Sequence, residues 1–145
     1  NTGLVIKLHI AAMFLPSLIT GNLIKKFGHS KIMYLGVLLF LIIILKRLFE
    51  QNFKNYLIAL IFLGFGWNFL FISGTRLLVL SYKEEEKFKA QGFNDLIVYT
   101  VQAIASLSAG IFISLTSWKT MNLVCIIFLI IIIISTLRAD LKQRS

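Results

Sequence analysis

The sequence predicts an all-α integral membrane protein with five membrane-crossing helices. Three observations carry that expectation. Of 145 residues, 58% are hydrophobic and only 14% are charged, against ~25% charged in an ordinary soluble domain. Mean hydropathy is +0.87. The apolar residues also gather into five runs, several of them long enough to cross ~30 Å of hydrocarbon at ~1.5 Å of helix rise per residue. The runs lack the period-2 alternation of a membrane barrel, so strands are not expected.

The predicted spans are residues 4–24, 32–48, 56–82, 96–116 and 121–137, followed by a polar tail at 138–145. The first holds Lys7 and His9 near its start and Pro16 inside it. Proline is tolerated in a membrane helix because neighbouring groups can satisfy the carbonyl it frees. The second is almost purely aliphatic and is short unless Lys46 and Arg47 stretch toward the headgroups. The third organises the rest of the chain. Its only ionisable side chains are Arg76 and tyrosine hydroxyls, and Gly64, Gly66, Asn68, Ser73, Gly74 and Thr75 interrupt its apolar surface. It ends in a charged elbow from Lys83 to Lys89, with Glu84, Glu85 and Glu86 inside. The fourth carries Tyr99, Gln102, Ser106 and Gly110; the fifth is aliphatic and contains Cys125, the single cysteine. That count excludes an intrachain disulfide.

Charge sets the expected orientation. The formal net charge is +9, and the basic residues sit at the ends of apolar runs and form no face of their own. Lipid headgroups are therefore the expected polyanionic partner, and no nucleic acid is expected. Nine basic residues fall on one side, in the loop 25–31, the elbow and the tail; Lys7, Lys46, Arg47, Lys54 and Lys119 fall on the other. The positive-inside rule makes the richer side cytoplasmic, with the C-terminus inside. The chain opens Asn1-Thr2-Gly3 without Met, and Lys7 and His9 interrupt the first apolar run. No signal peptide is expected from that pattern, and the chain reads as the later part of a longer protein.

Polar residues divide the spans. In the first, His9, Met13, Pro16 and Thr20 share one helical stripe; in the third, Gly64, Asn68 and Thr75; in the fourth, Tyr99, Gln102, Ser106 and Gly110. Unpaired polar groups in hydrocarbon cost several kcal/mol, so these stripes should face protein or water. The second and fifth spans suit a lipid-facing rim.

Each candidate residue has two readings. Arg76 can bind an anionic group, or it can snorkel to headgroups from its place near the helix end. His9 can carry a proton, or it can sit in the outer interface. Asn68, Thr75 and Gln102 can meet a solute or bond helix to helix. Trp67 and Tyr99 can stack on a ligand or pack. Glycines permit close helix approach. The sequence has no phosphate loop, no metal-spaced His/Cys cluster and no nucleophile paired with a base. Neither enzymatic activity, a cofactor nor a metal is expected. No Asp or Glu lies at mid-depth in any span.

The segment Gly21-Asn22-Leu23-Ile24-Lys25-Lys26-Phe27-Gly28-His29-Ser30-Lys31 resembles the cytoplasmic loop signature of the major facilitator superfamily. Gly21, Leu23, Lys26, Gly28 and Lys31 fit it, whereas Lys25 stands where that family has an acid. The stretch Gly64 to Thr75, the elbow Tyr82 to Gly92 and Asn94-Asp95 are similar to the penultimate inside loop of bacterial facilitator-type transporters. The resemblance implies a twelve-helix fold made of two six-helix halves, with the site between them. This chain would supply helices eight to twelve, most of the C-terminal half, in a bacterial inner membrane. Helices eight, ten and eleven would line the interior, and nine and twelve the periphery. The implied function is secondary transport of a small solute by alternating access, with proton coupling as one option and the N-terminal half as the chain's partner. Gly21, Lys26, Gly28 and Lys31 would latch one conformation. A non-transporting membrane scaffold, with stripes that serve only packing, is the alternative.

Overall fold

The computed structural model describes residues 2–49 and 53–144. Asn1, Ser145 and the side chains of Arg47, Lys142 and Arg144, which entered the charge and tail readings, lie outside the described residues. The described chain is helical: α1 Thr2–Phe14, α2 Ser17–Phe27, α3 His29–Phe49, α4 Phe53–Val79, a 3-10 turn Glu84–Glu86, α5 Lys87–Leu115 and α6 Trp118–Arg144. Among the described residues five stretches are long and apolar enough to cross a membrane, α1 and α2 together forming the first. The chain is an integral membrane protein.

Local chemistry places the breaks. Pro16 has no N–H to donate back along α1, and the helix interrupts there and restarts at Ser17. The Thr20 hydroxyl bonds the Pro16 carbonyl at 2.7 Å, and the Thr20 amide reaches the same oxygen at 2.8 Å. Gly28 ends α2 at φ +88°, a conformation that a Cβ disfavours, and α3 starts at the next residue. Helix α5 begins at Lys87, inside the segment read from sequence as an elbow. The Gln91 side chain donates to the Tyr82 hydroxyl at 2.6 Å across that bend. Ser117 caps α6, its oxygen accepting the Thr120 amide at 3.1 Å.

Helix α4 is the centre of the packing, with α1 on one side and α3 on the other. Glycine is what allows both approaches. A Cβ on Gly64 would lie 2.8 Å from the Ala12 side chain and 2.9 Å from the His9 carbonyl; one on Gly66 would lie 3.2 Å from the Gly36 carbonyl. Close backbone approach of this kind gives membrane helices their van der Waals contact. Ile24, Ile32 and Phe69 close one apolar cluster, and Val37, Ile44 and Leu129 close a second that brings in α6.

The rim assignment of the second span needs correction. Helix α3 is packed on two sides, by α4 and by α6, and among its described apolar side chains Leu35, Leu38, Ile42 and Leu45 keep an outward face. An aliphatic surface packs against protein as readily as against lipid, so its composition alone does not mark the rim. Helix α5 is the opposite case: none of its residues is buried.

Candidate functional site

The stripe of the first span, which runs through α1 and α2, meets that of α4. Asn68 is 1% exposed and Thr20 is fully buried. The Asn68 amide donates to the Met13 carbonyl at 2.8 Å, and its oxygen accepts the Thr20 hydroxyl at 2.7 Å. Met13 lies in the turn that the Pro16 break opens, so Asn68 serves a backbone carbonyl at a damaged point of the neighbouring helix. About two turns further toward the start of α4, His9 Nδ1 hydrogen-bonds the Leu60 carbonyl at 2.7 Å. This seam spends its polar groups on holding α1 to α4.

The remaining candidates are placed differently. The Thr75 hydroxyl bonds the Phe71 carbonyl of its own helix at 2.9 Å. Arg76 is exposed in the last turn of α4, and among the described residues no carboxylate pairs with it. At ~100° per residue it points to the face of α4 opposite Trp67. Tyr99 and Gln102 are exposed on α5, where no other helix covers them. The predicted loop is helical on either side of Gly28: Gly21 and Lys26 lie in α2 and Lys31 in α3, all four are exposed, and the Lys26 ammonium sits 5.3 Å from the Phe27 ring centre. The structure thus joins His9 to α4 and Asn68 to α1, and leaves Arg76, Tyr99 and Gln102 apart. Of the expected close approaches, Gly74 and Gly110 have open space where a Cβ would stand.

Two features go beyond the candidates read from sequence. Asp140 near the end of α6 receives hydrogen bonds from Ser30 and from the Tyr34 hydroxyl, the latter at 3.3 Å. Ser30 and Tyr34 stand four apart on one face of α3, which is a signal, but nothing local names Asp140 as their partner. Below this clamp Thr136 is 2% exposed against Met33. The second feature is aromatic. Trp67 and Phe71 stack with centroids 4.7 Å apart and planes 8° apart, and Phe14 meets Trp67 edge-on at 6.1 Å.

An apolar groove of about 400 Å³ runs between α3, α4 and α6, lined by Phe40, Ile44, Leu63, Leu70, Phe128 and Ile132 among others. It holds few polar groups, so it has little with which to orient a polar solute. No group of His, Cys, Asp and Glu able to hold a metal exists among the described residues.

An all-helical bundle with five stretches able to cross a membrane among the described residues defines a polytopic membrane protein. The family model of the Major Facilitator Superfamily matches residues 1–144, and the chain belongs to that superfamily. It is 40% identical over 122 residues to the riboflavin transporter of Brucella anthropi, covering 84% of this chain and 31% of the relative. Two uncharacterized MFS-type transporters of Bacillus subtilis are 35% and 34% identical over 124 and 125 residues, covering 84% and 85% of this chain and 29% of each relative. The chain therefore spans about a third of the length of the curated relatives it matches. No solved structure matches it.

Proposed function

We propose that the protein to which this chain belongs is a secondary transporter that moves a small solute across a bacterial inner membrane by alternating access. In this reading the chain forms helices eight to twelve, the C-terminus is cytoplasmic, and the rest of the carrier supplies the facing half. The observation that carries the proposal is the contrast between α4 and α5. Helix α4 is locked by α1 and α3, whereas α5 presents Tyr99, Gln102 and Ser106 with no protein against them. Polar groups at membrane depth need protein or water. A water-filled path between two halves supplies it.

Riboflavin, the solute in one relative's name, is the first to test. Uptake into proteoliposomes containing the complete protein, with riboflavin, a sugar and an amino acid offered in turn, tests the reading. Saturable uptake of one of them is expected. Leakage no faster than in protein-free vesicles for a wide panel would overturn it. No Asp or Glu lies at mid-depth in these helices, so a proton-coupling carboxylate, if the carrier uses one, belongs to its other helices.

The scaffold reading rests on one observation, the seam of α1 and α2 against α4, where the polar groups of His9, Asn68 and Thr20 are spent on packing. It gives no role to the bare face of α5.

A further inference from the structure

Helices α4 and α6 both pack on α3, yet among the described residues their backbones do not come together. Between them lies the apolar groove of about 400 Å³. Its α4 wall runs from Tyr56 to Leu70, its α6 wall from Met121 to Ile132, and α3 forms the floor. At ~1.5 Å of rise per residue the walls are roughly 21 and 16 Å long, about three to four helical turns. On each wall the lining residues fall at helical spacing, so the groove is a trough between two helix stripes. Ala59 on one wall and Cys125 on the other are small side chains, of the kind that let a neighbouring backbone come close.

We propose that an apolar transmembrane helix from the part of the carrier outside this chain lies in this groove, and that it is the helix preceding α1, helix seven in the reading above. The proposal rests on that reading and names the contact by which the chain joins the rest of its own half. The chain spans about a third of the length of its relatives, so most of the carrier's membrane segments lie outside it. A polypeptide in an apolar trough at membrane depth must satisfy its own backbone, and a helix does so. An acyl chain would fill the same volume, but it has no use for small residues in the walls; a helix backbone does. The place of the occupant in the chain follows from α1. His9 bonds the Leu60 carbonyl, and Leu60 also lines the groove. The start of α1 at Thr2 is about two turns beyond His9. A helix joined to that start by a short connection comes down beside the same stretch of α4, as consecutive elements usually do.

The test uses the complete protein in native membranes, with p-benzoylphenylalanine in place of Leu63 in the groove and, as a control, in place of Ile42, which is exposed on α3. After illumination, peptide mass spectrometry should find position 63 joined to the span before α1 within one polypeptide, and position 42 not joined to it. Disulfides from the native Cys125 to single cysteines along that span should form at every third or fourth position, the repeat of one helix face. A lipid adduct at position 63 with no peptide partner, a cross-link between two copies, or a partner peptide from any other span would overturn the assignment. Solute uptake by the same protein is read separately. Uptake without the cross-link removes the helix from the groove and leaves the transporter reading standing; the cross-link in a protein that moves no solute does the reverse.

Discussion

Removing the Asn68 side chain should loosen α1 and α2 from α4 by a predictable amount. Asn68→Ala deletes two interhelical hydrogen bonds, at 2.8 Å to Met13 and 2.7 Å from Thr20, at a site 1% exposed. Interhelical bonds in membranes average about 0.6 kcal/mol each and reach about 1.7. The two losses differ in kind. Thr20 keeps a second acceptor, the Pro16 carbonyl at 2.7 Å, while the Met13 carbonyl loses its side-chain donor in a dry environment. Adding the small cavity, the expected destabilisation is about 1–3 kcal/mol. Thr20→Val should cost less, about 0.5–1 kcal/mol. Because the two side chains bond each other, the double variant should cost less than the sum of the two single effects. Reversible unfolding of the complete protein in mixed micelles, run as a double-mutant cycle, reads that coupling. Additive effects, or an Asn68→Ala protein as stable as wild type, would refute the seam.

Gly64→Ala should sharply reduce folded yield, since the new Cβ meets Ala12 at 2.8 Å and backbone at 2.9 Å, whereas Gly74→Ala should leave the melting temperature unchanged or slightly raised; size-exclusion profiles and thermal scans separate them. Asp140→Ala should destabilise by about 1–2 kcal/mol by releasing Ser30 and Tyr34, and Asp140→Asn, which keeps an acceptor, by less; the same unfolding assay decides. Arg76→Ala should leave solute uptake within about twofold, as expected of a cation that snorkels from a helix end, and abolished uptake at normal expression would restore its functional reading.

Much of this arrangement is legible in the residues, and the limits have a physical cause. Helical periodicity shows which side of one helix is polar. It therefore picks out His9, Met13 and Thr20 on one run and Gly64 and Asn68 on another, the residues that meet where α1 and α2 pack on α4. Pro16 and Gly28 announce breaks through their own backbone chemistry. Periodicity does not say which stripe meets which, and it is silent on apolar surfaces. Gly36 and Val37 sit in a run with no polar marker, so the two-sided burial of α3 cannot be read from it. Asp140 joins Ser30 across more than a hundred residues, and such a pairing depends on helix register set by packing elsewhere. The Trp67–Phe71 stack is readable as an i, i+4 pair; the open space beside Gly74 is not, because it depends on where the other helices lie.

The central claim, a water-filled path along the bare polar face, is tested most directly by thiol accessibility. Single cysteines at Thr75, Tyr99 and Gln102, in a complete protein otherwise free of cysteine (Cys125→Ala included), would be exposed to a small water-soluble reagent from each side. Ile42 and Ile130, which are exposed and apolar, serve as lipid-facing controls. The account predicts labelling at Tyr99 and Gln102 and silence at the two isoleucines, with rates that change when a transported solute is added. Silence at Tyr99 and Gln102 from both sides would contradict it and leave α5 as a packing helix of a scaffold.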